Sequence, residues 1–167
     1  MRDEEFMQFV RERSLSLRRT AYLLCGSWSD GDDLVQESLA KVYVAWPRIE
    51  SSKAALSYTR TTMLRTYLNS RRKWGRELTL AAVPDHGVDD ADAALTVTLS
   101  ALLTELPTRQ RAVLVLRFYQ DLSVPQIAEE LGIPEGTVKS QLSRGLATMR
   151  TRLGDPSDES GEKEVTS

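Results

Sequence analysis

The stretch Leu106–Leu153, LPTRQRAVLVLRFYQDLSVPQIAEELGIPEGTVKSQLSRGLATMRTRL, carries enough punctuation to define two helices and the turn between them. Ser123 is a good N-cap, because its hydroxyl can accept from a first-turn amide that has no partner inside the helix, and Pro125 fits in that turn. Ile127, Ala128 and Leu131 then line one face of a short helix. Gly132 supplies the left-handed residue that ends it, and Pro134 opens the next. In that second helix Val138, Leu142, Leu146, Met149 and Leu153 recur at spacings of three or four, which makes a buried stripe. Lys139, Ser140, Ser143 and Arg144 fall on the opposite, wet side. The pattern predicts a helix-turn-helix.

A helix pinned on its inner face, with short polar and basic side chains outside, can lie in the DNA major groove. Ser140 and Ser143 allow close approach of the backbone. Arg144 can make a bidentate contact to guanine worth ~1–3 kcal/mol, and Lys139 suits a phosphate, which adds affinity without sequence preference. An ordinary helical hairpin with a solvated polar face is the competing reading.

The 167-residue chain allows one domain or two small ones, and 41% hydrophobic residues suffice for a core. No apolar run is long enough to span a bilayer. The start, MRDEEFMQFV, is acidic and lacks the basic and apolar regions of a secretion signal, which predicts a cytoplasmic protein. A single cysteine, Cys25, forms no disulfide framework or metal cluster and reads as a small core residue. Neither a Gly-rich phosphate loop, nor metal-ligand spacing, nor a nucleophile–His pair is present, so no catalytic residue, metal or cofactor is expected.

Net charge is −2, which is not the basic footprint of a protein that grips DNA alone. Its distribution is uneven. Residues 1–75 are net +4, residues 76–94 net −4, residues 95–153 net +2 and residues 154–167 net −4. Two mildly basic lobes are thus separated and trailed by acidic segments.

Outward from the helix-turn-helix, the remaining chain also reads as helical. A first helix is expected over Asp3–Leu24, with Phe6, Val10, Leu17, Ala21 and Leu24 on one stripe, broken by Gly26, Ser27, Ser29 and Gly31. Asp30, Asp32 and Asp33 are expected at the start of a second helix, where carboxylates favour the positive end of the dipole. Val35, Leu39, Val42 and Trp46 face inward there, and Pro47 stops it. A third helix runs from about Ser52 to Lys73, with Leu56, Met63, Leu64, Tyr67 and Leu68 toward the core. Its outward residues include Arg60, Thr61, Arg65, Asn69, Arg72 and Trp74. Together with Tyr58, these interleave cations and rings, the composition on which single-stranded bases stack and phosphates track. Charge near a helix C-terminus also simply complements the dipole. Residues 76–93 lack a sustained period and read as a linker; its His86 has no partner in sequence. Asp92 is expected to cap a fourth helix carrying Leu95, Leu99, Leu102 and Leu103. Pro107 opens a fifth, in which Val113, Leu114, Leu116, Arg117 and Phe118 lead into the helix-turn-helix. The tail after Gly154 reads as disordered. The expected fold is all-α: two small helical domains, 1–75 and 94–153, joined by a flexible acidic linker at 76–93 and followed by an acidic tail, 154–167.

In this order the blocks resemble the extracytoplasmic-function sigma factors of bacterial RNA polymerase. DDLVQESLAKVYVAW (Asp32–Trp46) is similar to the helix with which domain 2 of that group docks on the clamp helices of the polymerase largest subunit. ALSYTRTTMLRTYLNSRRKW (Ala55–Trp74) resembles the part that opens and reads the minus-ten promoter element. Leu106–Gly145 resembles domain 4, which reads the minus-thirty-five element. The resemblance implies polymerase contacts at Asp33, Leu34, Gln36 and Glu37. It implies minus-ten contacts at Tyr58, Arg60, Thr61, Arg65, Asn69, Arg72 and Trp74, and minus-thirty-five contacts at Lys139, Ser140, Ser143 and Arg144. Where many members carry Asn in a stretch of the form R-N-L, this chain has Arg65 in MLRTY, which favours phosphate over a flipped base. Core RNA polymerase and promoter DNA are the implied partners, an anti-sigma factor is a candidate third, and no membrane is involved.

The linker bears on that division of labour. Eighteen residues reach ~60 Å stretched but average ~23 Å as a free coil, whereas elements about 17 base pairs apart are separated by ~58 Å. A partner surface that holds both lobes would offset the cost of extension. Two other classes fit the same residues: a dimeric helix-turn-helix regulator acting without polymerase, and a sigma-like interaction protein that titrates polymerase or an anti-sigma factor.

Overall fold

A computed structural model describes residues 2–69 and 90–154. The expected linker before residue 90, the tail beyond Gly154, and Arg72, Trp74 and His86 lie outside the described residues. Those described form seven α-helices and no strand: α1 (Arg2–Cys25), α2 (Trp28–Ala45), α3 (Ser52–Asn69), α4 (Asp90–Leu103), α5 (Thr108–Leu114), α6 (Val124–Leu131) and α7 (Glu135–Leu153). A 3-10 turn, Trp46–Arg48, follows α2, and α5 runs into a π-helical turn, Val115–Tyr119.

Antiparallel packing of α1 on α2 builds the N-terminal lobe. Leu17, Ala21 and Leu24 of α1 share one buried cluster with Leu34 and Val35 of α2 and with Met63, Leu64 and Tyr67 of α3. Phe9 is buried one position beyond the expected stripe, while Phe6 and Val10 are half-buried. The break between α1 and α2 is shorter than expected. Gly26, at φ +82, ends α1, and the Ser27 hydroxyl accepts from the Asp30 amide at 3.1 Å to cap α2. Ser29 and Gly31 are therefore helical; Asp30 stands in the first turn as expected, Asp32 and Asp33 fall beyond it, and Ser27 rather than any of the three acids is the N-cap. Asp32 instead accepts from Arg18 of α1 at 2.7 and 3.3 Å. Gly31 serves contact: a Cβ there would lie 3.1 Å from the Tyr22 amide nitrogen.

The C-terminal lobe follows the expected punctuation closely. Ser123 and Gln126 form a full capping box on α6, Gly132 sits at φ 65, and Pro134 leads into α7. Val138 and Ile127 are fully buried between the two helices. Gly145 lets α7 approach α5 so closely that a Cβ would meet Leu114 Cδ1 at 2.9 Å. Three expectations fail here. Helix α4 begins at Asp90, so Asp92 lies inside it. Leu95 is exposed, at 59%, and Phe118, for which no burial was expected, is exposed at 62%. Phe118 lies in the π-helical turn, whose extra residue rotates the face away from the α-helical register. Leu153, in the last turn of α7, is also exposed.

The two lobes are packed together. Leu103, Leu106, Ala112 and Val113 belong to the same buried cluster as Leu23, Leu24 and Tyr67. Helix α1 packs on α4, and α3 packs on α6. Gln120 donates to the Thr20 hydroxyl at 2.5 Å. The Arg111 guanidinium donates to the carbonyls of Leu24 at 2.7 Å, Thr104 at 2.8 Å and Leu106 at 3.3 Å. A fork of donors thus closes the C-terminal end of α1 and the turn after α4 together.

Candidate nucleic-acid interface

Three helices carry the residues that the sequence singled out. On α2, Asp33, Gln36 and Glu37 are exposed, backed by Leu34, Val35 and Ser38. Glu37 pairs with Lys41 one turn on, at 3.5 Å, and Lys41 also donates to Thr66 of α3 at 3.0 Å. Leu34 is fully buried, so it holds α2 in place rather than presenting a side chain. The stripe runs on to Val44, which is 75% exposed. Sequence reasoning missed this residue, although Asp33, Glu37, Lys41 and Val44 follow one another at helical spacing.

Helix α3 splits its predicted set. Tyr58, Arg65 and Asn69 are exposed and recur at spacings of seven and four, so they share one face, with the half-buried Thr61 at its edge. Arg60 points away from that face. Its Nη1 donates to Glu130 Oε1 of α6 at 3.1 Å, and only 15% and 11% of the two side chains remain exposed. The expectation of a solvent-facing Arg60 is corrected by this partner, which lies 70 residues along the chain. Burial pushes the Glu130 carboxyl above the ordinary carboxylate range, and the Arg60 charge pulls it back. Glu130 Oε2 has no hydrogen-bond partner among the described residues. On the inner side of α3, burial likewise raises the Tyr67 phenol, opposed by the Arg111 charge.

Helix α7 presents Lys139, Ser140, Ser143 and Arg144, all exposed, and none has a side-chain partner among the described residues. Gly136 and Ala147 lie on the same exposed side. They widen the small-residue surface, so a backbone or base edge can come close along about three turns. Their contribution was overlooked because neither carries a functional group. The second helix of the motif thus has the shape and chemistry of a major-groove reader.

Behind this helix lies an apolar groove of about 290 Å³, lined by Leu99, Leu103, Leu114, Phe118, Leu146 and Met149 among others. Sequence reasoning put two of these residues, Leu146 and Met149, on a buried stripe. Periodicity identifies an apolar face but not what covers it. Among the described residues no group of His, Cys, Asp and Glu side chains is arranged to hold a metal ion. None of the described helices is long and apolar enough to cross a membrane.

Comparison with known proteins agrees with both halves. Residues 9–77 match the sigma-70 region 2 family, and residues 96–149 match sigma-70 region 4. The chain is similar to the RNA polymerase sigma-E factor of Streptomyces coelicolor, at 37% identity over 89% of this chain and 86% of that protein. It is also similar to the ECF RNA polymerase sigma factor SigL of Mycobacterium tuberculosis, at 31% identity over 85% of each. Among solved structures, the sigma factor RpoE from Bartonella quintana, crystallised with the anti-sigma factor NepR, shares the fold. Its TM-score is 0.69, with 21% identity and coverage of 92% of this chain and 99% of that one. A reading helix on one lobe, a cation- and ring-bearing helix on the other and this ancestry converge: the chain belongs to the extracytoplasmic-function group of the sigma-70 family, the sigma factors that bind core RNA polymerase and direct it to promoter DNA.

Proposed function

We propose a division of this activity among three exposed helix faces. Asp33, Gln36 and Glu37 of α2 dock on the clamp helices of the largest polymerase subunit, with Leu34 holding the helix from below. Tyr58, Thr61, Arg65 and Asn69 of α3 receive the unpaired non-template strand of the minus-ten element, where stacking and charge offset unpairing. Arg72 and Trp74 belong to the same set by resemblance to the family, whereas Arg60 is engaged by Glu130 and is left out of it. Lys139, Ser140, Ser143 and Arg144 of α7 set register at the minus-thirty-five element, with Arg144 on a base and Lys139 on phosphate. Residues 1–75 and 94–153 act as sigma domains 2 and 4. The protein works in the cytoplasm without catalytic chemistry of its own, and its regulator is of the anti-sigma class seen with the solved neighbour.

The observation that carries this reading is the pairing of each exposed polar face with a buried stripe on the same helix, which fixes its direction. The test is run-off transcription with purified core polymerase. The double variant Asp33→Ala, Glu37→Ala keeps its helical circular dichroism yet loses co-purification with core enzyme and run-off product. Full-yield co-purification of that variant refutes the assignment of α2.

A further inference from the structure

Helices α2 and α3 carry the docking and strand-capture faces, and one side chain joins them. Lys41 of α2 donates from Nζ to the Thr66 hydroxyl of α3 at 3.0 Å. The same ammonium lies 3.5 Å from the Glu37 carboxylate, one turn back on α2. Thr66 is only 3% exposed, so its hydroxyl has to find a partner within the protein. Other buried hydroxyls of this lobe turn back on their own helix. Ser38 donates to the Leu34 carbonyl and Thr59 to the Ala55 carbonyl, each at 2.7 Å. The Thr66 hydroxyl is met from the neighbouring helix.

This tie bears on direction more than on stability. Helix α3 is held from inside by Ala55, Met63, Leu64 and Tyr67, all buried. Apolar contact is non-directional, and a methionine adapts readily to a shifted neighbour, so these residues leave the rotation of α3 loosely defined. A charge-assisted hydrogen bond is directional and fixes it. Thr66 stands next to Arg65 and three residues before Asn69. Rotating α3 by about 10° would carry an atom ~6 Å from the helix axis through ~1 Å, whereas a binding constellation tolerates ~0.5 Å. Half of the Lys41 side chain is exposed, so water can replace its bonds and the lobe loses little stability without them.

We infer that the Lys41–Thr66 pair is a positioning device for strand capture: it sets the rotation of α3 on the docking helix and thereby aims Arg65 and Asn69 at the unpaired strand. This inference rests on the assignment of α3 to the minus-ten element. Buried Thr66 cannot touch DNA or polymerase, so whatever it does for either is done through the helix that carries it.

The experiment uses holoenzyme assembled from the full chain and core polymerase, with Thr66→Val removing the acceptor at nearly constant shape. Fluorescence anisotropy measures affinity for a single-stranded oligonucleotide, the non-template minus-ten strand of a promoter that the wild type transcribes. In Thr66→Val this affinity should fall roughly fivefold, while core binding, Tm and affinity for the duplex upstream element stay at wild-type values. Thr66→Ser keeps the hydroxyl and should bind the strand as the wild type does. Lys41→Met, at a half-exposed site, should show the same selective loss even where the buried substitution disturbs the fold. The double variant should be no weaker than either single one, because both remove the same interaction. Strand affinity within about twofold of wild type in both single variants overturns the inference. So do additive losses in the double variant, and so does an equal loss on the upstream duplex, which marks a merely structural bond. Arg65→Ala is the separate control: if it too leaves strand affinity unchanged, the assignment of α3 itself fails, and the positioning role falls with it.

Discussion

Arg111 is the residue whose loss the structure prices most directly. Its guanidinium makes two short bonds, to the Leu24 and Thr104 carbonyls at 2.7 and 2.8 Å, and a longer one to Leu106 at 3.3 Å. Replacement by Leu keeps apolar volume but removes every donor. Hydrogen bonds to a charged group contribute ~1.5–3 kcal/mol each in net terms. Arg111 is only half-buried, so water can partly replace it, and the lower value applies to the two short bonds. The loss is then ~3 kcal/mol, and for a chain of this size each kcal/mol shifts Tm by ~2–4 °C. Arg111→Leu should therefore lower Tm by ~6–12 °C in calorimetry. Arg111→Lys, a point charge without the fork, should recover less than half of that. A Tm within ~2 °C of wild type for Arg111→Leu would mean that the three carbonyls are satisfied by water and that the fork holds nothing together.

Three further outcomes are expected. Arg144→Ala should reduce run-off transcription selectively at promoters carrying the preferred upstream element, by the ~1–3 kcal/mol of one bidentate contact, with little change at promoters lacking it; an equal loss at both would make Arg144 a phosphate contact. Ser123→Ala removes half of the α6 capping box and should cost ~1 kcal/mol in thermal stability, whereas Ser123→Asp should keep most of it; equal melts for all three would deny the cap any weight. Burial pushes the Cys25 thiol up to about 12 from an ordinary value of 9.0. The folded chain therefore favours the neutral thiol, and the stability this contributes is complete below pH 9 and lost as pH rises toward 12. Denaturant titrations of wild type against Cys25→Ala should diverge only above pH 9, at no more than ~1.4 kcal/mol per pH unit; parallel curves to pH 11 would place the thiol in contact with water.

What was legible in the sequence was local. Ser123, Gly132 and Pro134 act within a few residues of themselves, and the helix-turn-helix they define is the one in the structure. Four of its side chains, Lys139, Ser140, Ser143 and Arg144, could be placed outward because Val138 fixes the opposite side. What failed depended on partners distant along the chain. The acids Asp30, Asp32 and Asp33 looked like caps because their carboxylates suit a helix start, but Arg18 claims Asp32 and Ser27 does the capping. Gly31 looked like a breaker and is a point of close helix approach. Arg60 looked solvated because nothing near it in sequence is acidic. The burial of Leu34 was within reach, since it lies three and four residues from Gly31 and Ser38 on the buried side of α2.

The same locality explains how a chain of net charge −2 can read DNA. The outer face of α7 offers one lysine and two arginines, Lys139, Arg144 and Arg150, among small residues, so it can meet base edges closely while neutralising few phosphates. Sequence-independent affinity scales with the number of phosphates neutralised, and two or three such contacts give weak, shallowly salt-dependent binding. A face built this way discriminates without holding on. The holding has to come from another body, and membership of a family that works on core polymerase supplies it. Small residues that would be a defect in a free-standing regulator thus suit a subunit whose grip on the chromosome belongs to the enzyme it serves.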